Sequence, residues 1–219
     1  MVNESINKLN LIQGNIKKTF ADNKKFPQII CVSKTFSIER LKPLIDLGHT
    51  HYGENKVQEA IQKWSEIKVI NNDIKLHMIG KLQTNKAKKA VKLFDFIHSL
   101  DNEKLADVLH KNEMELDKKL SYFIQVNLGD EEQKSGISER NVESFLNYCK
   151  DEKNLNVIGL MIIPPNATNP SEYFKKLKDL NSNLGLSELS MGMSSDYIEA
   201  VKYNSTYLRI GSAILGERK

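Results

Sequence analysis

Residues 28–53, QIICVSKTFSIERLKPLIDLGHTHYG, contain one full cycle of the pattern that repeats along this chain. The opening run QIICVS is apolar, rich in β-branched residues and preceded by Pro27, as a buried strand would be. Successive strand side chains alternate faces, so Ile30, Val32 and Lys34 point the same way. Ser37 then opens a helix whose apolar face is Ile38, Leu41, Leu44 and Ile45, and Gly48 is placed to end it in a left-handed conformation. THYG begins the next strand. Strand, helix, strand is the unit.

Working outward, the unit recurs. Ile6, Leu9, Ile12, Ile16 and Phe20 predict a leading helix before the first strand. Val57, Ala60, Ile61 and Trp64 mark a helix, KLHMIG a third strand and TNKAKKAVKLF a short lysine-rich helix. FDFIHSL reads as a fourth strand, with Asp101 as cap of the helix bearing Leu105, Val108 and Leu109. LSYFIQVNL is the fifth strand, followed by the polar loop GDEEQKSGIS and a helix marked by Val142, Phe145, Leu146 and Cys149. NVIGLMII, halted by Pro164 and Pro165, is the sixth, and the helix of Tyr173, Phe174, Leu177, Leu180 and Leu184 follows. ELSMGM, a helix from about residue 195 to 203, TYLRIG and a short helical tail complete the series.

Eight strands alternating with helices, at about 27 residues per unit, match repeated βαβ units with a parallel sheet. The expected fold is α/β: a (β/α)₈ TIM barrel with an extra N-terminal helix, a single domain over residues 1–219. A doubly wound open sheet is the alternative. No glycine-rich nucleotide loop of the G-x-G-x-x-G or G-x-x-x-x-G-K-[ST] kind is present.

Composition narrows the class. Apolar residues at 40% and charged residues at 27% fit a soluble globular protein. No apolar run approaches the roughly 18 residues of a membrane span, and the polar, periodic start does not resemble a signal peptide. A cytoplasmic protein is expected, with Cys31 and Cys149 as free thiols. The net charge of +4 is mild. Of 32 basic residues only Arg40, Arg140, Arg209 and Arg218 are arginine, so one lysine says little and one arginine in an apolar setting says more.

In a barrel, functional groups sit where strands end. Those ends hold Lys34, Gly53 to Asn55, Gly80, Asn127, Met161 to Ile163, the SMGMS of Ser190 to Ser194, and RIGS at Arg209 to Ser212. A lysine in a partly dry mouth loses preference for its charged form, and its free amine is then a nucleophile toward aldehydes. The plainer reading is a lysine that snorkels to water. Gly211 and Ser212, and Gly192 with Ser194 and Ser195, are turns able to hold a phosphate after the last two strands, or ordinary turns. Arg209, between Leu208 and Ile210, must find an acceptor if buried: a carboxylate such as Asp196 or Glu54, or a ligand atom such as a pyridine nitrogen. His49 and His51 lack a third metal ligand at suitable spacing, so no metal site is expected. His77 reads as a hydrogen-bonded core histidine or a residue flanking a ring. The lysines of residues 81–92 read as a solvated helix face rather than a nucleic-acid site.

Seven blocks in order, VSK (32–34), GENKVQEA (53–60), HMIGKLQTNK (77–86), IQVNLGDEEQKSGI (124–137), IGLMIIPP (158–165), SMGMSSDYIEAV (190–201) and LRIGSAILGER (208–218), resemble the pyridoxal phosphate homeostasis family. The resemblance implies a pyridoxal 5'-phosphate (PLP) barrel similar to the N-terminal domain of alanine racemase. It implies Lys34 as the residue forming the Schiff base with PLP, Asn55 near the ring, and Arg209 facing the pyridine nitrogen. Ser194, Gly211 and Ser212 match the phosphate cradle, and His77 and Met191 fall in matched blocks as further cofactor contacts.

Such a protein is expected to hold PLP for intracellular vitamin B6 homeostasis without turnover, as a monomer that supplies PLP-dependent apoenzymes. An arginine opposite the pyridine nitrogen weakens PLP as an electron sink. Racemisation needs acid–base groups on both faces of the substrate carbon, and Lys34 serves one. The alternative is an amino-acid racemase using Tyr52 or Tyr207 on the other face. No nucleic acid or membrane partner is expected.

Overall fold

Gln28, Ile29, Ile30 and Cys31 of the first strand pair in parallel register with Tyr207, Leu208, Arg209 and Ile210 of the last, so the two ends of the alternating pattern meet. The computed structural model describes residues 3–19, 26–129, 135–165 and 169–217. Its strands are β1 (Gln28–Val32), β2 (His51–Glu54), β3 (Lys75–Met78), β4 (Phe96–Leu100), β5 (Ser121–Asn127), β6 (Ile137–Ser138), β7 (Asn156–Met161), β8 (Glu188–Ser190) and β9 (Tyr207–Ile210). Eight of them run in the order β4-β3-β2-β1-β9-β8-β7-β5, and pairing of β4 with β5 closes the ring. Every pairing is parallel. The fold is a closed (β/α)₈ barrel, and the open-sheet alternative falls.

The strand β6 is an addition that the pattern does not reveal. It lies outside the ring and pairs only with β5, Val126 opposite Ile137. Two residues are too few for a periodic signal, and the preceding loop reads as purely polar. Within that loop, residues 130–134 lie outside the described residues.

The helices alternate with the strands: α1 (Glu4–Thr19), α2 (Ile38–Asp46), α3 (Val57–Ile70), α4 (Ala87–Leu93), α5 (Glu103–Leu116), α6 (Val142–Asn147), α7 (Pro170–Asn183), α8 (Tyr197–Lys202) and α9 (Ser212–Leu215). The leading helix α1 buries Leu9, Ile12 and Ile16, as its spacing predicts; Phe20 lies outside the described residues. Helix α2 follows Ser37, and Gly48 takes φ 90°, the left-handed value expected past its end. One cap moves. Helix α5 is capped by Asn102, whose side-chain oxygen accepts the Leu105 N–H at 2.9 Å, while Asp101 accepts from the Asn102 amide at 2.6 Å. Two adjacent capping types cannot be separated by spacing alone. Among the described residues no helix is long and apolar enough to cross a membrane.

Strand alternation divides the core in two. Outward side chains such as Ile29, Cys31, Tyr52, Leu76, Tyr122 and Leu208 pack beneath the helices. Inward ones form a smaller cluster of Ile30, Phe123, Met161 and Tyr207, with Phe96 and Ile158 against it. Each fully buried large side chain contributes on the order of 1.5–3 kcal/mol relative to exposure. The barrel interior is not uniformly apolar, for His77, His98, Ser190 and Arg209 are buried in it as well.

Candidate functional site

Strand β1 ends at Val32, yet the alternation outlasts the hydrogen bonding: Val32 and Lys34 both line a cavity of about 560 Å³ at the C-terminal mouth of the barrel. Asn55 after β2, Ser194 after β8, and Arg209, Gly211 and Ser212 of β9 and the turn beyond it line the same space. Phe36, Ile79 and Ile163 supply apolar wall. Residues from the beginning and end of the chain therefore face one another across the closure of the ring.

The turn that carries Lys34 is clamped from below. The Ser33 hydroxyl donates to Glu54 Oε1 at 2.7 Å, and the same oxygen accepts from Lys63 Nζ at 2.8 Å and Trp64 Nε1 at 2.9 Å. Lys63 also donates to the Ser33 carbonyl at 2.8 Å. Glu59 takes the backbone N–H of Thr35, a residue held at φ 69°. A β-branched residue in the left-handed region is strained, and strain of this kind persists only where surrounding bonds over-determine it. Lys34 thus sits between two residues held by carboxylates, Ser33 by the buried Glu54 and Thr35 by the partly exposed Glu59. That network was not legible in the sequence, where Glu54 offered itself as a partner for Arg209.

Among the described residues Arg209 has no carboxylate in hydrogen-bond contact. Nη1 donates to the Ser190 carbonyl and to Ser190 Oγ, each at 2.7 Å, and Nη2 donates to the Ile162 carbonyl at 2.8 Å. Its Nε–H has no acceptor among the described residues. Burial lowers the guanidinium to about 10, with Asp196 opposing the shift from a distance. The group is therefore charged at neutral pH. A cation held by three neutral oxygens keeps its charge available to whatever enters the cavity.

Beside Arg209, where β9 adjoins β1, Ser194 Oγ accepts the backbone N–H groups of Gly211 and Ala213, both at 3.3 Å. This draws the loop after β8 onto the turn after β9. Asp196 accepts the Met193 N–H and holds the loop's other end.

Two residues expected at the cofactor lie elsewhere. His77 is fully buried in the barrel interior, its two ring nitrogens each 2.9 Å from another histidine, and it does not line the cavity. Met191 faces outward into the core beneath the helices, because Ser190 before it faces in. The two tyrosines considered as second-face acids are also elsewhere. Tyr52 packs against Trp64, ring centroids 4.6 Å apart, and Tyr207 lies among the interior histidines. No tyrosine lines the cavity among the described residues.

The alanine racemase N-terminal domain family matches residues 8–219. A pyridoxal phosphate homeostasis protein of Aquifex aeolicus is 38% identical over 201 residues, covering 88% of this chain and 87% of the relative. That of Haemophilus influenzae is 34% identical over 223 residues, covering 96% and 94%. Among solved structures, PipY of Synechococcus elongatus, 31% identical, superposes with TM-score 0.87 without PLP and 0.85 with PLP bound. These cover 98% and 97% of this chain and all of PipY. Alanine racemase of Clostridium difficile, 14% identical, shares the fold at TM-score 0.73, with 56% of its own length matched. Fold, family match and near full-length relatives agree, and the chain belongs to the pyridoxal phosphate homeostasis family, built on the alanine racemase N-terminal domain.

Proposed function

We propose that the cavity binds PLP, with Lys34 linked covalently through the aldehyde carbon, and that the protein stores and hands on PLP without turning over a substrate. One observation carries the reading: a buried, charged Arg209 lines the cavity with, among the described residues, no carboxylate in hydrogen-bond contact and no acceptor for its Nε–H. A pyridine nitrogen is an acceptor of the right kind for that donor. PipY, which has been seen with PLP bound, supports the ligand class.

The residues fit the group. Lys34 offers the only amine of the cavity lining among the described residues, Asn55 a polar contact beside the ring, and Ser194, Gly211 and Ser212 a polar end for the phosphate. His77 and Met191 are not part of this site. Bound PLP supplies a reactive aldehyde and an electron-withdrawing ring. Arg209, a permanent donor, keeps the ring nitrogen unprotonated and so weakens that withdrawal. With no tyrosine in the lining among the described residues, the face opposite Lys34 is proposed to have no phenolic acid. Storage rather than turnover follows from both. A monomer comprising one domain over residues 1–219 is the proposed unit, and PLP-dependent apoenzymes are the proposed recipients.

The test is the visible spectrum with PLP before and after borohydride, followed by peptide mass mapping. A yellow band bleached by borohydride, with the added mass on Lys34 and absent in Lys34→Ala, is expected. A colourless protein, or label spread over surface lysines, overturns the reading.

A further inference from the structure

Beneath the cavity, polar side chains descend the barrel interior in single file. Arg209 Nη1 donates to Ser190 Oγ at 2.7 Å, and Ser190 Oγ lies 2.8 Å from His98 Nδ1. His98 Nε2 lies 2.9 Å from His77 Nδ1, and His77 Nε2 lies 2.9 Å from His51 Nδ1. Ser190, His98 and His77 are fully buried, whereas His51, the first residue of β2, is half-buried at the far end of the barrel. Aromatic rings fix the imidazole planes. Phe96 stacks on His77 and Phe123 on His98, each with centroids 4.3 Å apart and interplanar angles of 9° and 19°.

The chain has one consistent direction. Arginine only donates, so Ser190 Oγ accepts from it, and the hydroxyl proton has His98 Nδ1 as its other hydrogen-bonding neighbour. Burial pushes His77 and His98 well below the ordinary histidine range, with neighbouring charges adding to it, so both are neutral. A neutral imidazole has one donor and one acceptor. His98 therefore accepts at Nδ1 and donates from Nε2, His77 does the same, and His51 accepts at Nδ1. Aligned bonds of this kind polarise one another, and the low-dielectric interior strengthens each.

We propose that Ser190, His98, His77 and His51 are positioning residues for Arg209: a one-way hydrogen-bonded relay that takes the place of a carboxylate counter-charge and keeps the guanidinium Nε–H turned to the ring nitrogen of PLP. The proposal rests on the PLP reading of the cavity. A carboxylate against Arg209 would neutralise it. A file of neutral rings supplies the acceptor that burial demands and leaves the positive charge for the ligand. The relay also gives His77 a reason to be polar in a barrel core without touching the site.

The experiment begins with nitrogen-15 NMR of the ligand-free protein, which separates protonated from lone-pair ring nitrogens. His77 and His98 are expected with the proton on Nε2 and the lone pair on Nδ1. The second step compares His51→Gln, whose side-chain carbonyl still accepts from His77, with His51→Phe, which cannot. The glutamine variant is expected to keep both tautomers and the Arg209 Nε–H resonance. The phenylalanine variant is expected to mix the tautomers, move that resonance and raise the PLP dissociation constant about tenfold, the scale of a weakened charge-assisted hydrogen bond. A proton on Nδ1 of either wild-type histidine overturns the relay with no variant needed. So does a phenylalanine variant with wild-type tautomers and Arg209 resonance, which is what packing alone would give. Expected tautomers in a wild-type protein that takes no borohydride-reducible PLP on Lys34 would overturn the cofactor half alone.

Discussion

Ser33 and Glu54, joined by a 2.7 Å hydrogen bond, are the residues immediately before Lys34 and Asn55, so one buried contact ties together the two strand ends that form one side of the cavity. Glu54 is fully buried and Lys63, its ion-pair partner, is 8% exposed at the side chain. Removing Glu54 leaves the buried Lys63 with only the partly exposed Glu59, 3.1 Å away, as counter-charge, at a cost of up to about 3–5 kcal/mol. Glu54→Ala is expected to lose that much stability in urea unfolding. A loss below about 1 kcal/mol would mean that the turn under Lys34 is held by something else.

Acid should unfold this protein by charging histidines that the fold keeps neutral. Burial lowers His49 to about 4, lowers His51, and holds His77 and His98 well below their usual range. In the unfolded chain the same groups take up protons near 6.5. Below about pH 6.5 the unfolded state therefore binds more protons than the folded one, and stability falls as pH falls. Below that pH each such histidine contributes a slope of up to about 1.4 kcal/mol per pH unit, so His77 and His98 together give up to about 2.8 kcal/mol per pH unit. Urea midpoints measured from pH 7 to pH 5 should drop steeply. A flat profile would show that these imidazoles find charge-compensating partners in the fold.

Gly80 lies where β3 passes Asn55. A Cβ there would stand 2.5 Å from the Asn55 carbonyl oxygen and 2.8 Å from its Cα, and backbone cannot swing aside. Gly80→Ala is expected to cost about 1–3 kcal/mol and to weaken PLP binding by displacing Asn55. Paired unfolding and PLP titrations decide it: unchanged affinity in the folded variant would remove Asn55 from the binding wall.

With no tyrosine in the cavity lining among the described residues, amino acids incubated in deuterated water with the PLP-loaded protein should gain no deuterium at the α-carbon. Mass spectrometry reads this directly. Exchange that is abolished in Lys34→Ala would bring back the racemase reading and require an acid from elsewhere.

The barrel was legible because its strands are bounded by glycine, proline and polar residues, and because helix periodicity alternates with strand periodicity from residue 28 to the end. Strand ends then located the mouth, and Lys34, Asn55, Ser194, Arg209, Gly211 and Ser212 do meet there. What did not follow was depth. His77 and Asn55 both stand at or near strand ends in the sequence, yet His77 falls a layer lower, because β3 pairs His77 with Gly53 rather than with Asn55. Met191 was misplaced by parity, since one step along β8 exchanges inside for outside. His98 escaped notice because FIHSL reads as an ordinary strand. Its significance arises only when His77 and Ser190, from other strands, arrive at its two nitrogens.

The pairing of β1 with β9 has a consequence for how the protein is made. Lys34 emerges from the ribosome some time before Arg209, Gly211 and Ser212, which lie far downstream of it. Until β9 docks along β1, the cavity has one wall. A nascent chain, or one cut short before residue 207, carries a nucleophilic lysine but no receptacle around it. Capacity to take up PLP thus reports that synthesis has passed β9 and that the ring has shut.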